Sequence, residues 1–305
     1  MLYYCKTPQG NFGDDLNSWL WPRIAPEVCS ENDPALFVGI GTILSHRIPT
    51  EPSKIIFGAG WGGGRDPRAD TRWRFYCVRG PRTARGLKLD PRLAVVDPAI
   101  LVRQIPLTAV EKCYPVSLMP HHQSMTKADW PALCARAGIK CIDPRNPVER
   151  VLTELRQTEL LLAESMHGAI VADALRVPWI AVRMYGRFTQ FKWQDWTESV
   201  RVPLRIVDVP PVFERKPPCW KRVDYTAKKL LARCGLGDDN WNRLETRATT
   251  ESEVSQTLRT LERVSQQQLP CLSEERILLE LNTRLMEKLS EVRTIYQSGC
   301  FHPVA

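Results

Sequence analysis

The chain has 305 residues, 43% of them hydrophobic and 25% charged, an ordinary balance for a globular protein of roughly two domains. No apolar run approaches the roughly 20 residues that span a bilayer, and the opening MLYYCKTPQG lacks the charged-then-apolar pattern of a secretory signal. The net charge of +8 favours anionic partners, but no zinc finger or aromatic RNA-binding strand motif accompanies it, which argues against nucleic acid.

In chain order, short apolar runs alternate with glycine turns. LYY (2–4) reads as a strand, followed by the loop CKTPQGNFG and a helix DDLNSWLWPRI. ALFVGIG (35–41), KIIFGAG (54–60), RFYCVRG (74–80) and LAVVDPAIL (93–101) read as further strands. PRTARGLKL opens on a proline, which suits the first turn of a helix. The second half repeats the pattern: strands at PVSLMPH, KCIDP, ELLLA, PWIAV and LRIVDV, with helices at KADWPALCARAG, VERVLTELRQT, the segment after His167, and FTQFKWQDWTES. Strands alternating with helices predict α/β architecture with parallel sheets. We divide the chain into an N-terminal Rossmann-like domain (1–108), a C-terminal Rossmann-like domain (109–211) and a basic, helical extension (212–305).

In the extension, TESEVSQTLRTLERV starts with a capping box, Thr250 and Glu253. A last helix carries Leu278, Leu281, Leu285, Leu289, Val292 and Tyr296 on one stripe, which predicts packing inside the chain or, alternatively, a homodimer contact. The ten cysteines form no C-x-x-C pair and stand at no zinc-ligand spacing from histidine, so we expect free thiols, a cytoplasmic setting and no metal.

Four motifs bear on chemistry. GAGWGG (58–63) fits the dinucleotide fingerprint, but the sequence after it, GRDPRADTRWR, is charged and broken by proline where a helix is needed, so no nicotinamide cofactor is expected. QGNFGDDLN (9–17) offers Asn11, Asp14 and Asn17 to sugar hydroxyls, or to capping and turn formation. VRGPRTARGL (78–87) places Arg79 and Arg82 at a strand's carboxyl end, where open α/β sheets bind ligands and where a guanidinium suits carboxylate or phosphate. LLLAESMHGAIVADAL sets His167 at the junction of a buried strand and a helix; free N–H groups there favour an anion, and an imidazole there can serve as acid or base.

Taken in order, NFGDDLN, VGIGTIL, IIFGAG, VRGPRTARGL, VVDPAIL, MPHH and LLLAESMHGAIVADALRVPWIAV resemble the polysaccharide pyruvyltransferase family over about residues 2–209. The opening is most similar to the branch that adds pyruvate ketals to succinoglycan-type exopolysaccharides. The resemblance implies a two-domain fold similar to the GT-B glycosyltransferases, phosphoenolpyruvate as donor substrate, no cofactor, and a cyclic ketal formed on two hydroxyls of one sugar with release of phosphate. It places the family's histidine on His167 and its N-domain arginine on Arg79, with Lys192 the best match for a further donor-binding cation. Arg82, Gly168 and Ser165 join the donor set, and His121 of MPHH joins Asn11, Asp14 and Asn17 toward the acceptor. Many members carry an arginine two residues before the histidine; this chain has Ser165, and Arg183 or Arg187 is expected to supply the missing charge. The family's acceptors are commonly lipid-linked oligosaccharides, so the basic stretch Arg215–Arg233, with Trp220 and Tyr225, is expected to visit the inner membrane surface. Two other classes stay open: a nucleotide-sugar glycosyltransferase, which would want a carboxylate such as Glu164 for the ribose, and a non-catalytic glycan-binding protein.

Overall fold

A computed structural model describes the chain except residues 31–32, 187, 215–218, 235, 237–240, 242 and 299–305, and except the side chains of 219, 220, 222, 233 and 298. Its first half is a four-stranded parallel sheet, β1 (Leu2–Tyr3), β2 (Ala35–Val38), β3 (Ser53–Phe57) and β4 (Trp73–Cys77), in the sequential order β1-β2-β3-β4. Helix α1 (Phe12–Ile24) connects β1 to β2, and α2 (Pro81–Gly86) follows β4. The second half is a five-stranded parallel sheet of β5 (Tyr114–Met119), β6 (Lys140–Cys141), β7 (Thr158–Ala163), β8 (Trp179–Arg183) and β9 (Ile206–Asp208), ordered β6-β5-β7-β8-β9. Between its strands lie α3 (Trp130–Arg136), α4 (Val148–Arg156), α5 (Met166–Ala174) and α6 (Gln190–Ser199). The extension contributes α7 (Cys219–Arg233), α8 (Glu251–Gln267) and α9 (Glu275–Ser298). The expected parallel sheets and helical C-terminal region are both present.

The two sheets differ in winding. The second reverses its strand order between β5 and β7, which makes a topological switch point, the place where open α/β sheets form a crevice beyond the strand ends. The first runs without reversal. The chain leaving β5 carries His121, and the chain leaving β7 carries Glu164, Ser165 and His167.

One predicted strand is not a strand. LAVVDPAIL makes a single bridge, Val78 to Ala94, and then enters a 3-10 helix, Pro98–Gln104. Asp97 caps that helix, its Oδ1 accepting from the Ala99 amide at 3.0 Å, and Pro98 supplies no N–H to a ladder. The apolar run was buried as expected, but the Asp-Pro pair sets its backbone.

The predicted stripe on α9 is internal. Leu278, Leu285, Leu289 and Val292 are fully buried in the cluster that also holds Trp21, Phe37 and Phe57 of the first half and Ile170 and Ala172 of α5. A homodimer contact through that stripe is therefore corrected: its apolar surface is already covered by this chain. The extension is locked to the second sheet as well, since Cys271 exchanges backbone hydrogen bonds of 3.0 and 2.7 Å with Trp179, and Ser273 N donates to the buried Asp173 at 2.9 Å. The capping box of α8 forms as read.

Candidate active site

The smaller of two adjoining cavities, of about 320 Å³, opens between the loop after β1, the loop after β2 and the switch point. Its walls bring together Asn11, Asp14, His121, Ser165, His167 and Lys192, six residues separated by up to 181 positions in sequence. Arg47, not singled out in the sequence, adds a second cation.

His167 sits in the first turn of α5, behind the N-cap Ser165, whose Oγ accepts from the Gly168 amide at 3.3 Å. Its imidazole is 13% exposed. A Cβ on Gly13 would stand 2.0 Å from Nδ1, so the glycine of NFGDD leaves room for the ring. On the other side Nε2 lies 3.5 Å from Oδ2 of Asp97, which is fully buried. Asp97 is the functional candidate that the sequence reading passed over; the signal was a carboxylate-proline pair ending a buried apolar run.

The loop after β1 is held in place by both halves. Gly10 adopts φ +81°, and a side chain there would meet the Arg145 carbonyl at 2.5 Å, while the Phe12 amide donates to the Pro144 carbonyl at 2.7 Å. Asn11 Nδ2 donates to Asp14 Oδ2 at 2.6 Å. Burial raises the Asp14 carboxyl above its usual range, against the Asn11 hydrogen bond and the nearby histidines His167 and His122, which lower it. Asn17 does not reach the cavity. It is fully buried, donates to the Asp14 and Ile40 carbonyls and accepts from the Ile40 amide and Trp21 Nε1, all at 2.9–3.0 Å. Its predicted contact with acceptor is corrected to a structural brace.

The arginines are corrected too. Arg79 is fully buried: Nε donates to Asp195 Oδ2 at 3.0 Å, and its terminal nitrogens donate to Thr42 Oγ1 at 2.6 Å and the Trp61 carbonyl at 3.1 Å. Asp195 also accepts from the Thr83 amide and hydroxyl at 2.8 and 2.6 Å. This joins the end of β4 to α6 in place of a ligand contact. Gly60 of GAGWGG serves the same joint, since a Cβ there would overlap the Arg79 guanidinium at 2.1 Å. Arg82 pairs with Glu198 at 2.6 Å and Arg183 with Asp208 at 2.6 Å, and neither lines the cavities. Gly168 gives clearance to Met119, whose sulfur would lie 2.5 Å from an added Cβ. Arg187 lies outside the described residues.

The cation that does face the cavity from α6 is Lys192. Its ammonium makes no hydrogen bond to a described residue, and its side chain forms part of both cavity walls. Burial, reinforced by the Arg79 guanidinium, pushes it down to about 8, with Asp14 and Glu164 acting in the opposite direction. The buried Arg79–Asp195 pair thus fixes the helix that presents this lysine.

The larger cavity, of about 530 Å³, adjoins the first across His121 and Lys192 and is walled by Tyr185, Phe188, Phe213 and Tyr225 among others. Glu164 lies at its edge with both carboxylate oxygens committed: Oε2 accepts from the His121 amide at 2.9 Å, and Oε1 from the Met184 and Tyr185 amides at 3.3 and 3.1 Å. Burial raises its carboxyl despite these bonds. A carboxylate so engaged braces two loops and has little left for a ribose. Among the described residues no group of three or more His, Cys, Asp or Glu could hold a metal, and no helix is long and apolar enough to cross a membrane.

The chain matches the family model for polysaccharide pyruvyl transferase over residues 11–184, a span that contains Asn11, Asp14, Asp97, His121, Ser165 and His167. It is 41% identical over 212 residues to the succinoglycan biosynthesis protein ExoV of Rhizobium meliloti (strain 1021), covering 68% of this chain and 67% of that protein. No solved structure matches it. A family-model match over more than half of the chain, together with a 41% identical relative covered to two thirds of its length, identifies this protein as a member of the polysaccharide pyruvyltransferase family.

Proposed function

We propose that this enzyme transfers pyruvate from phosphoenolpyruvate to a sugar of an exopolysaccharide repeat unit, forming a cyclic ketal and releasing phosphate. The observation that carries the reading is the convergence of His167, Asp14 and the free-facing Lys192 on one small cavity. His167 gives a proton to the methylene carbon of the enol ester, and the double-bond electrons take it up. C2 becomes oxocarbenium-like, and one sugar hydroxyl adds there. Departure of phosphate and attack by the second hydroxyl close the ketal; of the two hydroxyl protons released, one replaces that used by His167 and the other leaves with phosphate. Asp14, on the wall of the same cavity, accepts a hydroxyl proton, and the burial that raises its carboxyl makes it a stronger base. Lys192 and Arg47 hold the donor's carboxylate and phosphate, taking the part expected of Arg79 and of the arginine replaced by Ser165. The chemistry requires no metal or cofactor.

Thermal shift with candidate donors tests this reading, because a ligand that binds the folded chain alone raises its melting temperature. Phosphoenolpyruvate is expected to raise it and nucleotide sugars to leave it unchanged; the reverse pattern favours a glycosyltransferase.

Lys192 adds a pH dependence. With the ammonium pushed down to about 8, it is a cation below that pH and neutral above it. Donor affinity, measured calorimetrically, is expected to be level at lower pH and to weaken as pH rises through about 8. Lys192→Met should bind weakly throughout, and Lys192→Arg should lose the alkaline fall. An alkaline fall that persists in Lys192→Met would assign it to another group.

We place the lipid-linked acceptor on the side of α7. On that helix Lys221 and Tyr225, the latter expected at a membrane interface, line the larger cavity. Its outward face is apolar, with Val223, Leu230 and Leu231 71%, 56% and 45% exposed and Leu236 beyond it 60% exposed. Arg215, Lys216 and the side chains of Trp220, Arg222 and Arg233 lie outside the described residues. An apolar stripe on a helix with five basic residues and one acidic suits an anionic lipid surface. Vesicles containing anionic lipid are expected to sediment the wild type at low salt, and a Leu230→Glu/Leu231→Glu variant to stay in solution. Equal sedimentation of the two would remove α7 from membrane contact.

A further inference from the structure

His167 and Asp97 face one another across the junction of the two halves, and each presents an unsatisfied atom to the other. Nε2 of His167 and Oδ2 of Asp97 are both buried without a hydrogen-bond partner, 3.5 Å apart. A buried carboxylate oxygen left unpaired costs about 1–3 kcal/mol or more, so its retention in a fully enclosed position calls for a partner. Asp97 is rigid: its other oxygen caps the 3-10 helix at Ala99, Pro98 fixes the next residue, and that helix packs directly on α5.

We propose that Asp97 is the positioning carboxylate of His167. Its Oδ2 accepts the Nε2–H proton, which leaves Nδ1, over the bare backbone of Gly13, as the nitrogen that exchanges protons with the substrate. The same oxygen stabilises the imidazolium that must exist before the methylene carbon is protonated. The other charged or titratable groups lining the cavity with the ring are Tyr3 and Cys5 at β1, Asp14 on α1, Arg47 on the loop after β2, His121 on the chain after β5 and Lys192 on α6. Among the described residues, Asp97 is the carboxylate in ion-pair range of a His167 nitrogen. The two residues come from opposite halves of the chain, so the acid is complete only when the halves are docked.

This inference rests on His167 as the acid, and the test separates the two. Asp97→Asn keeps an oxygen to cap Ala99 but turns an amide N–H toward Nε2, favouring the neutral ring with its proton on Nδ1. In the wild type, nitrogen NMR of labelled histidine should show the neutral His167 ring protonated on Nε2; in Asp97→Asn the proton should move to Nδ1. The rate of phosphate release should fall by about 100-fold or more, by analogy with the loss of a histidine-orienting carboxylate in other acid–base sites. The alkaline limb of its pH profile should move to lower pH, because the protonated ring has lost its counter-charge, while donor KM changes little. A wild-type ring protonated on Nδ1 would overturn the proposal even if the variant fails to fold. So would an unchanged rate and pH profile in a folded Asp97→Asn. If His167→Ala keeps its activity, the catalytic reading fails, while the tautomer measurement still decides whether Asp97 orients the ring.

Discussion

His167→Ala is expected to fold, somewhat less stably because the buried Asp97 carboxylate loses its partner, and to lose nearly all turnover. The side chain is near the surface of a cavity, and α5 keeps its Ser165 cap and its buried apolar face without it. General acid–base groups contribute on the order of 100- to 10,000-fold, and the other imidazole and the amine among the described residues lining this cavity are His121 and Lys192. Both of those stand on its far wall, shared with the larger cavity. Donor affinity should change little, because Lys192 and Arg47 carry the charge. Steady-state rates with melting temperature as the fold control decide it; a variant that keeps more than about a third of the wild-type rate is incompatible with an acid role.

Arg79→Ala is expected to act first on stability. The guanidinium and the Asp195 carboxylate are both fully enclosed, and removing one partner leaves a buried charge unpaired, at a cost of about 3–5 kcal/mol. Thr42 and Trp61 lose the guanidinium that joins them to Asp195, and α6 is held at this joint by Thr83 alone, so Lys192 should drift and activity should fall with stability. Arg79→Lys should recover little, since one ammonium cannot reproduce the planar fork that meets three acceptors. A double variant, Arg79→Met with Asp195→Leu, should be more stable than either single change to alanine, because no unpaired charge remains. Thermal or urea unfolding measures this. An Arg79→Ala protein with unchanged stability and no donor affinity would return Arg79 to the ligand.

The sequence was most legible where local pattern and burial agree. Parallel strands read as short apolar runs ending in glycine or polar turns, and β2, β3, β5, β7 and β8 were each found to within a few residues. His167 stood out because a lone imidazole interrupts an apolar strand–helix unit. Arg79 had the right edge position, but its partner, Asp195, is 116 residues away, and no local signal shows that an arginine is already paired. Asp97 was hidden for the opposite reason: surrounded by Val95, Val96, Ile100 and Leu101, it read as one more residue of a strand. The α9 stripe was correctly seen as apolar; what it packs against depended on the tertiary fold. Helix α7 shows the limit of basic composition as a guide, since Lys221 and Tyr225 line a cavity while Val223, Leu230 and Leu231 are exposed.

The central claim is tested most directly by following phosphate release from phosphoenolpyruvate with and without a sugar acceptor, and examining the acceptor by NMR. The account predicts acceptor-dependent phosphate release from the wild type, a carboxyethylidene ketal on the sugar, and neither from His167→Ala. Phosphate release without a ketal, or sugar transfer from a nucleotide sugar with no response to phosphoenolpyruvate, would contradict it.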